Sequence, residues 1–155
     1  VLIATGSFGI GPIEKIVCEL TDFQVIVICG HNKKLYKRLK ARSGKNVFVN
    51  GLVDNMDEMM AVSDAMVTKP GGLSITEALV SELPLIFFSA IPGQETHNIK
   101  VLKTYGIGVG PCSIKEIVQH LTHLRSSKDA HRSELKKLKE LAKAQAVKEL
   151  NSLII

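Results

Sequence analysis

Several features of common protein classes are missing from this 155-residue chain. Its three cysteines, Cys18, Cys29 and Cys112, are odd in number and lack CxxC spacing, which argues against a disulfide framework or a zinc site. No apolar run approaches the roughly 20 residues of a membrane-spanning helix. The start, VLIATGSFG, lacks the basic region and cleavage site of a secretory signal. We therefore expect a reducing, cytoplasmic setting. Because Val1 opens what looks like a core strand, we also expect a piece of a longer protein.

Aromatic residues are scarce as well, at 5%, and tryptophan is absent. Hydrophobic residues nevertheless make up 45% of the chain and charged residues 23%. This composition is ordinary for a globular protein and excludes intrinsic disorder. The length fits one compact domain. We expect Cys29, at the end of an apolar run, to be buried.

The net charge of +5 is unevenly distributed. Residues 31–45 contain seven lysines or arginines and no acidic residue. Residues 46–112 contain three basic and seven acidic residues, a local charge of −4. The run KKLYKRLKARSGK at 33–45 has two open interpretations: a solvated helix face, or peripheral contact with an anionic membrane. Because only one aromatic, Tyr36, is interleaved with these charges, we expect no nucleic-acid partner.

Short β-branched apolar runs alternate with segments of helical spacing. The runs are VLIAT at 1–5, VIVIC at 25–29, VFV at 47–49, AMVT at 65–68, LIFF at 85–88 and a weaker GIGVG at 106–110. Continuous apolar strands between helices predict a parallel sheet that is buried on both faces. The sequence therefore predicts an α/β, Rossmann-like, doubly wound sheet of about six strands.

Two late helices are predicted to follow the sheet. The first has a capping-box pattern at Ser113 and Glu116, followed by the apolar stripe Ile114, Ile117, Val118, Leu121 and Leu124. The second, over about 132–152, has a thin apolar side formed by Leu135, Leu138, Ala142 and Leu150.

In open parallel sheets ligands bind beyond the carboxyl ends of the strands, so the loops there are the candidate sites. The first, at 5–12, contains Gly6, Ser7 and Gly9, and Pro12 suits the start of the next helix. Glycines let an anion approach backbone amides and a helix N-terminus. The spacing matches neither dinucleotide-binding nor P-loop motifs. A phosphate loop and a plain tight turn therefore both remain open.

The second loop, at 68–77, follows the fourth strand and contains Lys69, Gly71, Gly72, Leu73 and Ser74. Lys69 is placed to face a diphosphate. Glu77 has two interpretations. With Ser74 it forms a capping-box pattern that needs no ligand; alternatively, because a phosphate would repel its carboxylate, it accepts hydrogen bonds from neutral hydroxyls such as a ribose diol.

Two further loops are candidates. At 91–98, Gln94 and Asn98 are four apart and would share a helix face suited to a sugar's hydroxyls, unless the segment is only a Pro-Gly turn before a capped helix. At 51–56, backbone groups near Leu52 and Val53 could bind the edge of a flat base, while Met56, Met59 and Met60 suit core packing. His120, His123 and His131 lie away from these loops without a carboxylate or cysteine to complete a metal site, so we expect no metal.

The stretch TKPGGLSITEALVSELPLIFF-x3-PGQETHN resembles the donor-binding region of two-domain, B-fold glycosyltransferases of the family 28 type. The resemblance is strongest to processive diacylglycerol glucosyltransferases and monogalactosyldiacylglycerol synthases, and weaker to the lipid-II-forming N-acetylglucosaminyltransferase. It extends from Gly6 to Gly110, and it is the combination of PGG-x4-E with PGQE-x2-N that makes it specific. It implies that the chain, residues 1–155, is the C-terminal, donor-binding half of such an enzyme.

The resemblance also implies roles for individual residues. It places the diphosphate against Gly6, Ser7 and Gly9. It places the second loop against both the nucleotide and the diphosphate. It assigns the uracil edge to the Leu52–Val53 backbone and the ribose to Glu77. The donor hexose would contact Gln94, Glu95 and Asn98. The resemblance implies no metal or other cofactor, and the Glu at 95 in place of the lipid-II enzyme's Gln favours the glycolipid branch.

The expected function is therefore UDP-hexose binding within a UDP-dependent hexosyltransferase that acts on a lipid acceptor such as diacylglycerol. We expect the enzyme to be peripheral on a cytoplasmic membrane face. The resemblance implies that the catalytic base belongs to an N-terminal acceptor domain absent from this chain, so we expect the chain alone to be inactive and to expose apolar surface along the interdomain cleft. The alternatives are a stand-alone nucleotide-binding or partner subunit that completes a transferase with a separate chain and, more weakly, a sugar-nucleotide epimerase.

Overall fold

The computed structural model describes residues 1–89, 93–127, 129, 133 and 135–137. Strands and helices alternate along most of this range. The strands are β1 (Leu2–Ala4), β2 (Val25–Ile28), β3 (Val47–Asn50), β4 (Met66–Thr68) and β5 (Leu85–Phe87). The helices are α1 (Ile13–Glu19), α2 (Lys33–Arg42), α3 (Met56–Ala61), α4 (Gly72–Val80), α5 (Gln94–Thr104) and α6 (Ile114–Ser126).

All five strands are parallel and lie in the order β3-β2-β1-β4-β5. The chain moves outward from β1 to β3, then returns to the other side of β1 to form β4 and β5. The direction of winding therefore reverses between β1 and β4, which makes their carboxyl ends the topological switch point. The predicted Rossmann-like, doubly wound architecture is confirmed.

The prediction of about six strands is wrong by one among the described residues. In the segment at 106–110 only Val109 makes a β-bridge, with Ile86 of β5. Its neighbours Gly108 and Gly110 have φ angles of 67° and 136°, so the backbone cannot remain extended there. The segment covers the outer edge of β5 without becoming a strand.

Two apolar layers enclose the sheet. One packs α3, α4 and α5 against it through residues such as Met60, Ile75 and Leu102, with Met56 and Met59 packing at its margin. The other includes residues of α1, α2 and α6 and the buried Cys29. Burial raises the pKa of the Cys29 thiol to about 11, so the thiol stays protonated, as expected of a small core residue. The core roles of Cys29 and of the three methionines are confirmed.

The late-helix predictions have different outcomes. The Ser113 capping box is present: Ser113 Oγ accepts from the Glu116 N–H at 3.3 Å, and the Ser113 N–H donates to Glu116 Oε2 at 2.7 Å. Ile117 and Leu121 are buried, and Ile114, Val118 and Leu124 pack partly against the core.

The second predicted helix lies largely outside the described residues, as do Leu138, Ala142, Leu150 and His131; Leu135 packs partly against the core. No helix among the described residues is long and apolar enough to span a bilayer.

Candidate functional site

The predicted loops meet at the carboxyl edge of the sheet. The loops after β1 and β4 are neighbours because these two strands are paired, Ile3 lying opposite Val67. The loops after β2 and β3 lie to one side and the loop after β5 to the other. Every predicted site residue is on one of these loops or on the helix that follows it.

The loop after β1 is fixed against the loop after β2 by close backbone packing. The His31 N–H donates to the Ser7 carbonyl at 2.7 Å, and the Gly9 N–H closes a turn onto the Gly6 carbonyl at 3.2 Å. Gly9 and Gly30 have φ angles of 54° and 57°. A Cβ at Gly9 would overlap the carbonyl of Cys29, and one at Gly30 would overlap that of Ser7. Only glycine fits at these two positions, which explains the glycine content of this edge.

One side chain also fastens this loop. Asn32, the N-cap of α2, donates from Nδ2 to the Gly9 carbonyl at 3.1 Å and accepts from the Leu35 N–H through Oδ1 at 3.0 Å. Both ends of this carboxamide are therefore hydrogen-bonded. Gly6 and Ser7 remain exposed on the outer side of the loop, while Gly9 is buried.

The loop between β4 and α4 is held mainly by α5. The buried Asn98 donates from Nδ2 to the Pro70 carbonyl at 2.8 Å, a contact 28 residues apart in sequence. Asn98 is 1% exposed, and its Oδ1 has no hydrogen-bond partner among the described residues. Asn98 therefore ties α5 to the loop that contains the predicted Lys69, Gly71 and Gly72. Lys69 itself is half-buried at the end of β4.

The N-terminus of α4 opens onto this edge. Gly71 is its N-cap, no side chain caps the helix, and the first turn contains no acidic residue. The first N–H groups of a helix have no partner within the helix and lie at the positive end of its dipole. This end of α4 therefore offers backbone donors and positive charge to an anion, next to Lys69 and the loop after β1.

The capping-box interpretation of Ser74 and Glu77 is wrong. The helix begins two residues before Ser74, because Gly71 occupies the cap position. Glu77 therefore falls in the second turn, where it is exposed. Ser74 is half-buried within the helix, and Leu73 is 83% exposed. Glu77 is thus left without the capping role that would have explained it locally.

The outer loops place the remaining predicted residues. Leu52 is 60% exposed after β3, whereas Val53 packs partly against the core. Gln94 and Glu95 begin α5, Gln94 exposed and Glu95 half-buried. Gln94 and Asn98 do belong to one helix, as predicted, but Gly93 is its N-cap and no side chain caps it. The alternative of a capped helix is therefore wrong.

Two contributors to this edge were missed at the sequence level. Gly30 and Asn32 follow β2, and the rule that directs attention to loops after strands applies to them as well. A third residue, Thr5, begins the candidate loop at 5–12. It is buried at the end of β1, and its Oγ1 has no hydrogen-bond partner among the described residues.

Histidines are not assembled into a metal site in the part of the chain that the structure describes. His120 and His123 lie on α6. Within the described ranges, no three His, Cys, Asp or Glu side chains are grouped as a metal ion would require. His131 is outside those ranges.

Comparison with known sequences places this arrangement in a family. Residues 12–151 match the sequence profile of the glycosyltransferase family 28 C-terminal domain. The processive diacylglycerol beta-glucosyltransferase of Staphylococcus carnosus is 35% identical over 137 residues, which cover 84% of this chain and 35% of that protein. The Bacillus subtilis protein of the same name is 33% identical over 147 residues, which cover 90% of this chain and 38% of that protein. The chain thus spans little more than a third of these relatives.

Solved structures show the same fold at lower identity. The glycotransferase of kitacinnamycin matches with a TM-score of 0.71 and 18% identity, over 99% of this chain and 41% of its own. WaaG, a glycosyltransferase involved in lipopolysaccharide biosynthesis, matches with a TM-score of 0.70 and 17% identity, over 97% of this chain and 44% of its own. UGT71G1 of Medicago truncatula, solved with UDP-glucose, matches with a TM-score of 0.67 and 19% identity, over 99% of this chain and 39% of its own. At these identities the likeness concerns the fold.

Proposed function

Since the chain belongs to the family of glycosyltransferase family 28 C-terminal domains, we propose that it is the donor-binding domain of a UDP-dependent hexosyltransferase. The acceptor is a lipid such as diacylglycerol, in keeping with the names of its relatives. The acceptor domain and the catalytic base would belong to a part of the enzyme outside these residues, so this chain alone would bind donor without transferring sugar.

The observation that best supports a nucleoside diphosphate donor is the anion-binding character of the switch point. The uncapped N-terminus of α4, the half-buried Lys69 and the exposed backbone of Gly6 and Ser7 lie at the carboxyl ends of β1 and β4. Together they offer backbone N–H groups, a helix dipole and one ammonium to two phosphate groups. These groups are also suited to offset the negative charge that develops on a departing diphosphate without a metal ion, and we propose that none is used.

Glu77 supports the assignment of the ribose end. It is exposed on α4 one turn beyond the proposed diphosphate position, and it has no cap to form. A carboxylate there would be repelled by phosphate but would accept hydrogen bonds from the two ribose hydroxyls. The backbone at Leu52 and Val53, on the other side of β1, would then contact the uracil edge.

The sugar of the donor would extend toward the first turn of α5. Gln94 is exposed there, so its carboxamide can reach hydroxyl groups of the hexose, and we propose that the half-buried Glu95 next to it contacts the hexose as well. Asn98 is one turn deeper and its Nδ2 is committed to Pro70. Its proposed contact with the hexose would therefore use Oδ1, which a ligand hydroxyl can reach only after a small shift of the surrounding loops.

In the complete enzyme, a base would remove the proton from the acceptor hydroxyl, whose oxygen attacks the anomeric carbon of the hexose. The bond from that carbon to the β-phosphate oxygen breaks, and UDP leaves with the bonding electrons. The residues of this chain would hold the diphosphate and orient the hexose, while closure against the acceptor domain excludes water.

Exposed apolar side chains support the proposal that another domain faces this edge. Phe8 and Ile10 on the loop after β1 are 70% and 59% exposed; Leu52, after β3, and Leu73, in the first turn of α4, are exposed at the same edge. Single exposed apolar residues are common, but four of them along one edge of the sheet are typical of a surface that is covered in a larger protein. Because the acceptor is a lipid, we place the enzyme peripherally at the cytoplasmic face of a membrane.

Calorimetric titration of the chain with UDP and with UMP tests the donor site. We expect saturable UDP binding, weaker binding of UMP because it lacks the second phosphate, and UDP binding about 10-fold weaker in Glu77→Ala, as loss of a charge-assisted hydrogen bond would produce. Glu19→Ala is the matched control: Glu19 is an exposed glutamate at the end of α1.

Equal affinity for UDP and UMP would contradict the diphosphate assignment, and unchanged binding in Glu77→Ala would contradict the ribose assignment. Absence of UDP binding would remove the proposal that this chain recognises the donor by itself. It would favour the alternative of a partner subunit whose site is completed by another chain.

A further inference from the structure

Helix α2 presents a basic surface that the proposed donor site does not use. Four lysines, which we call the α2 lysine face, are exposed on the side opposite the buried Leu35 and Leu39; they are Lys33, Lys34, Lys37 and Lys40. Arg38 is different, because it forms a bidentate pair with Glu14 of α1, with N–O distances of 2.9 and 2.8 Å. The structure records no ion pair for any lysine of this face within the described residues.

Two lysines of this face oppose the stability of their own helix, whereas Lys40, in the last turn, favours it. The first turn of α2 contains Lys33 and Lys34 and no acidic residue. Cations near the positive end of a helix dipole are unfavourable, and acidic residues are the stabilising choice there. Here Asn32 alone supplies the favourable cap. A local arrangement that disagrees with stability is typical of residues retained for function.

The position of the face relates it to the candidate site. Helix α2 begins at the carboxyl edge, where the His31 N–H is bonded to the Ser7 carbonyl and the Phe8 ring lies 6.5 Å from the His31 ring. The first lysines of α2 therefore lie close to the loop after β1. A cluster of lysines on one face of a helix is typical of proteins that bind the surface of an anionic bilayer.

We propose that the α2 lysine face binds the surface of an anionic phospholipid bilayer and so holds the carboxyl edge of the sheet close to the lipid phase. This proposal rests on the proposed function, because a lipid acceptor is presented at a bilayer. Residues 31–45 have a net charge of +7, residues 46–112 of −4 and residues 113–155 of +4, so the densest positive charge of the chain lies on α2 and its flanks. RNA fits less well, since the one aromatic of α2, Tyr36, is half-buried and unavailable for stacking on bases.

Sedimentation with lipid vesicles tests the proposal. The chain is mixed with vesicles of phosphatidylglycerol and phosphatidylcholine in equal parts, and separately with phosphatidylcholine alone. We expect binding to the anionic vesicles only, weakened by added salt. In the triple variant Lys34→Glu, Lys37→Glu, Lys40→Glu we expect binding at least about 100-fold weaker, since each basic residue near an anionic surface contributes about 1 kcal/mol.

The matched control is the triple variant Lys100→Glu, Lys103→Glu, Lys115→Glu, which changes the net charge equally at exposed lysines of α5 and α6. It should bind vesicles more tightly than the α2 variant. Equal binding by the two variants, equal binding to neutral vesicles, absence of vesicle binding, or preferential binding to an RNA oligonucleotide would overturn the proposal.

UDP titration of the same proteins separates this proposal from the donor site. We expect the α2 triple variant to bind UDP as the unmodified chain does, because its substituted residues are not among those proposed to contact the donor. UDP binding without vesicle binding overturns only the membrane surface. Vesicle binding that depends on α2, without UDP binding, overturns the proposed function and leaves the surface assignment supported.

Discussion

Two asparagines fasten the two glycine loops at the switch point, and they differ in how completely they are hydrogen-bonded. Asn32 donates to the Gly9 carbonyl and accepts from the Leu35 N–H. Asn98 donates to the Pro70 carbonyl, but its Oδ1 is buried and has no partner among the described residues. The same type of side chain is thus a helix cap with both ends hydrogen-bonded at Asn32, and a buried link with only its donor end hydrogen-bonded at Asn98.

The difference indicates which loop can adjust. The loop after β1 is additionally fixed by backbone packing around Gly9 and Gly30, where a Cβ has no room. The loop after β4 has open space around Gly71. Because an unpaired buried acceptor is costly, a small movement that gives the Asn98 Oδ1 a donor is energetically favoured. We expect the β4–α4 loop to adjust more on ligand binding than the β1–α1 loop.

Replacing each asparagine by aspartate gives the largest expected contrast. Asn98→Asp puts a carboxylate against the Pro70 carbonyl in a buried position, and we expect the free energy of unfolding at pH 7 to fall by about 3 kcal/mol or more. Asn32→Asp also brings a carboxylate oxygen against a carbonyl, that of Gly9, but in a part-buried position. Because it keeps the acceptor for the Leu35 N–H and adds negative charge at a helix N-terminus, we expect a change below about 1 kcal/mol. Urea denaturation of both variants measures this.

The pH dependence of Asn98→Asp sharpens the test. Burial raises the pKa of the introduced carboxyl in the folded state above its value of about 3.9 in the unfolded chain. The penalty therefore grows as the pH rises above 3.9 and is smallest below it, where the protonated acid can donate to Pro70. Equal losses for the two aspartate variants, or a pH-independent loss at position 98, would contradict the difference between the loops.

The backbone packing of the first loop gives the next effect. In Gly30→Ala the new Cβ meets the carbonyl of Ser7, and the φ of 57° disfavours any side chain. We expect thermal denaturation to show a loss of about 2 to 4 kcal/mol, from left-handed strain and overpacking together. Gly71→Ala is the control, with a φ of −77° and no atom within 4 Å of the new Cβ. If both variants were equally stable, close packing would not be what fixes the first loop.

Truncation of the fully bonded cap gives a small effect. Asn32→Ala removes the donation to Gly9 and the cap on Leu35, and we expect a loss of about 1 kcal/mol, the usual value for an N-cap. Hydrogen exchange of the Leu35 amide provides a local readout and should accelerate. A loss as large as that of Asn98→Asp would show that Asn32 supports much more of the edge than its half-buried cap position implies.

The sequence was a good guide where the signal is local. The apolar runs predicted all five strands of the sheet, and Ser113 and Glu116 predicted the capping box of α6. Both features depend on residues that are close together in the chain. The same pattern at Ser74 and Glu77 failed, because Gly71 starts α4 earlier. The motif indicates that a helix begins nearby, but the path of the chain leaving β4 decides at which residue.

The alternation of apolar strands and helices determined the fold class, and the PGG and PGQE motifs determined the family. Only the tertiary structure decided that Asn98 bonds to Pro70, that Gly30 lies against Ser7, and that Glu14 neutralises Arg38 and leaves four lysines of α2 exposed. These contacts join residues more than 20 positions apart. Spacing along one element cannot reveal them, since they depend on the strand order that brings separate loops and helices together.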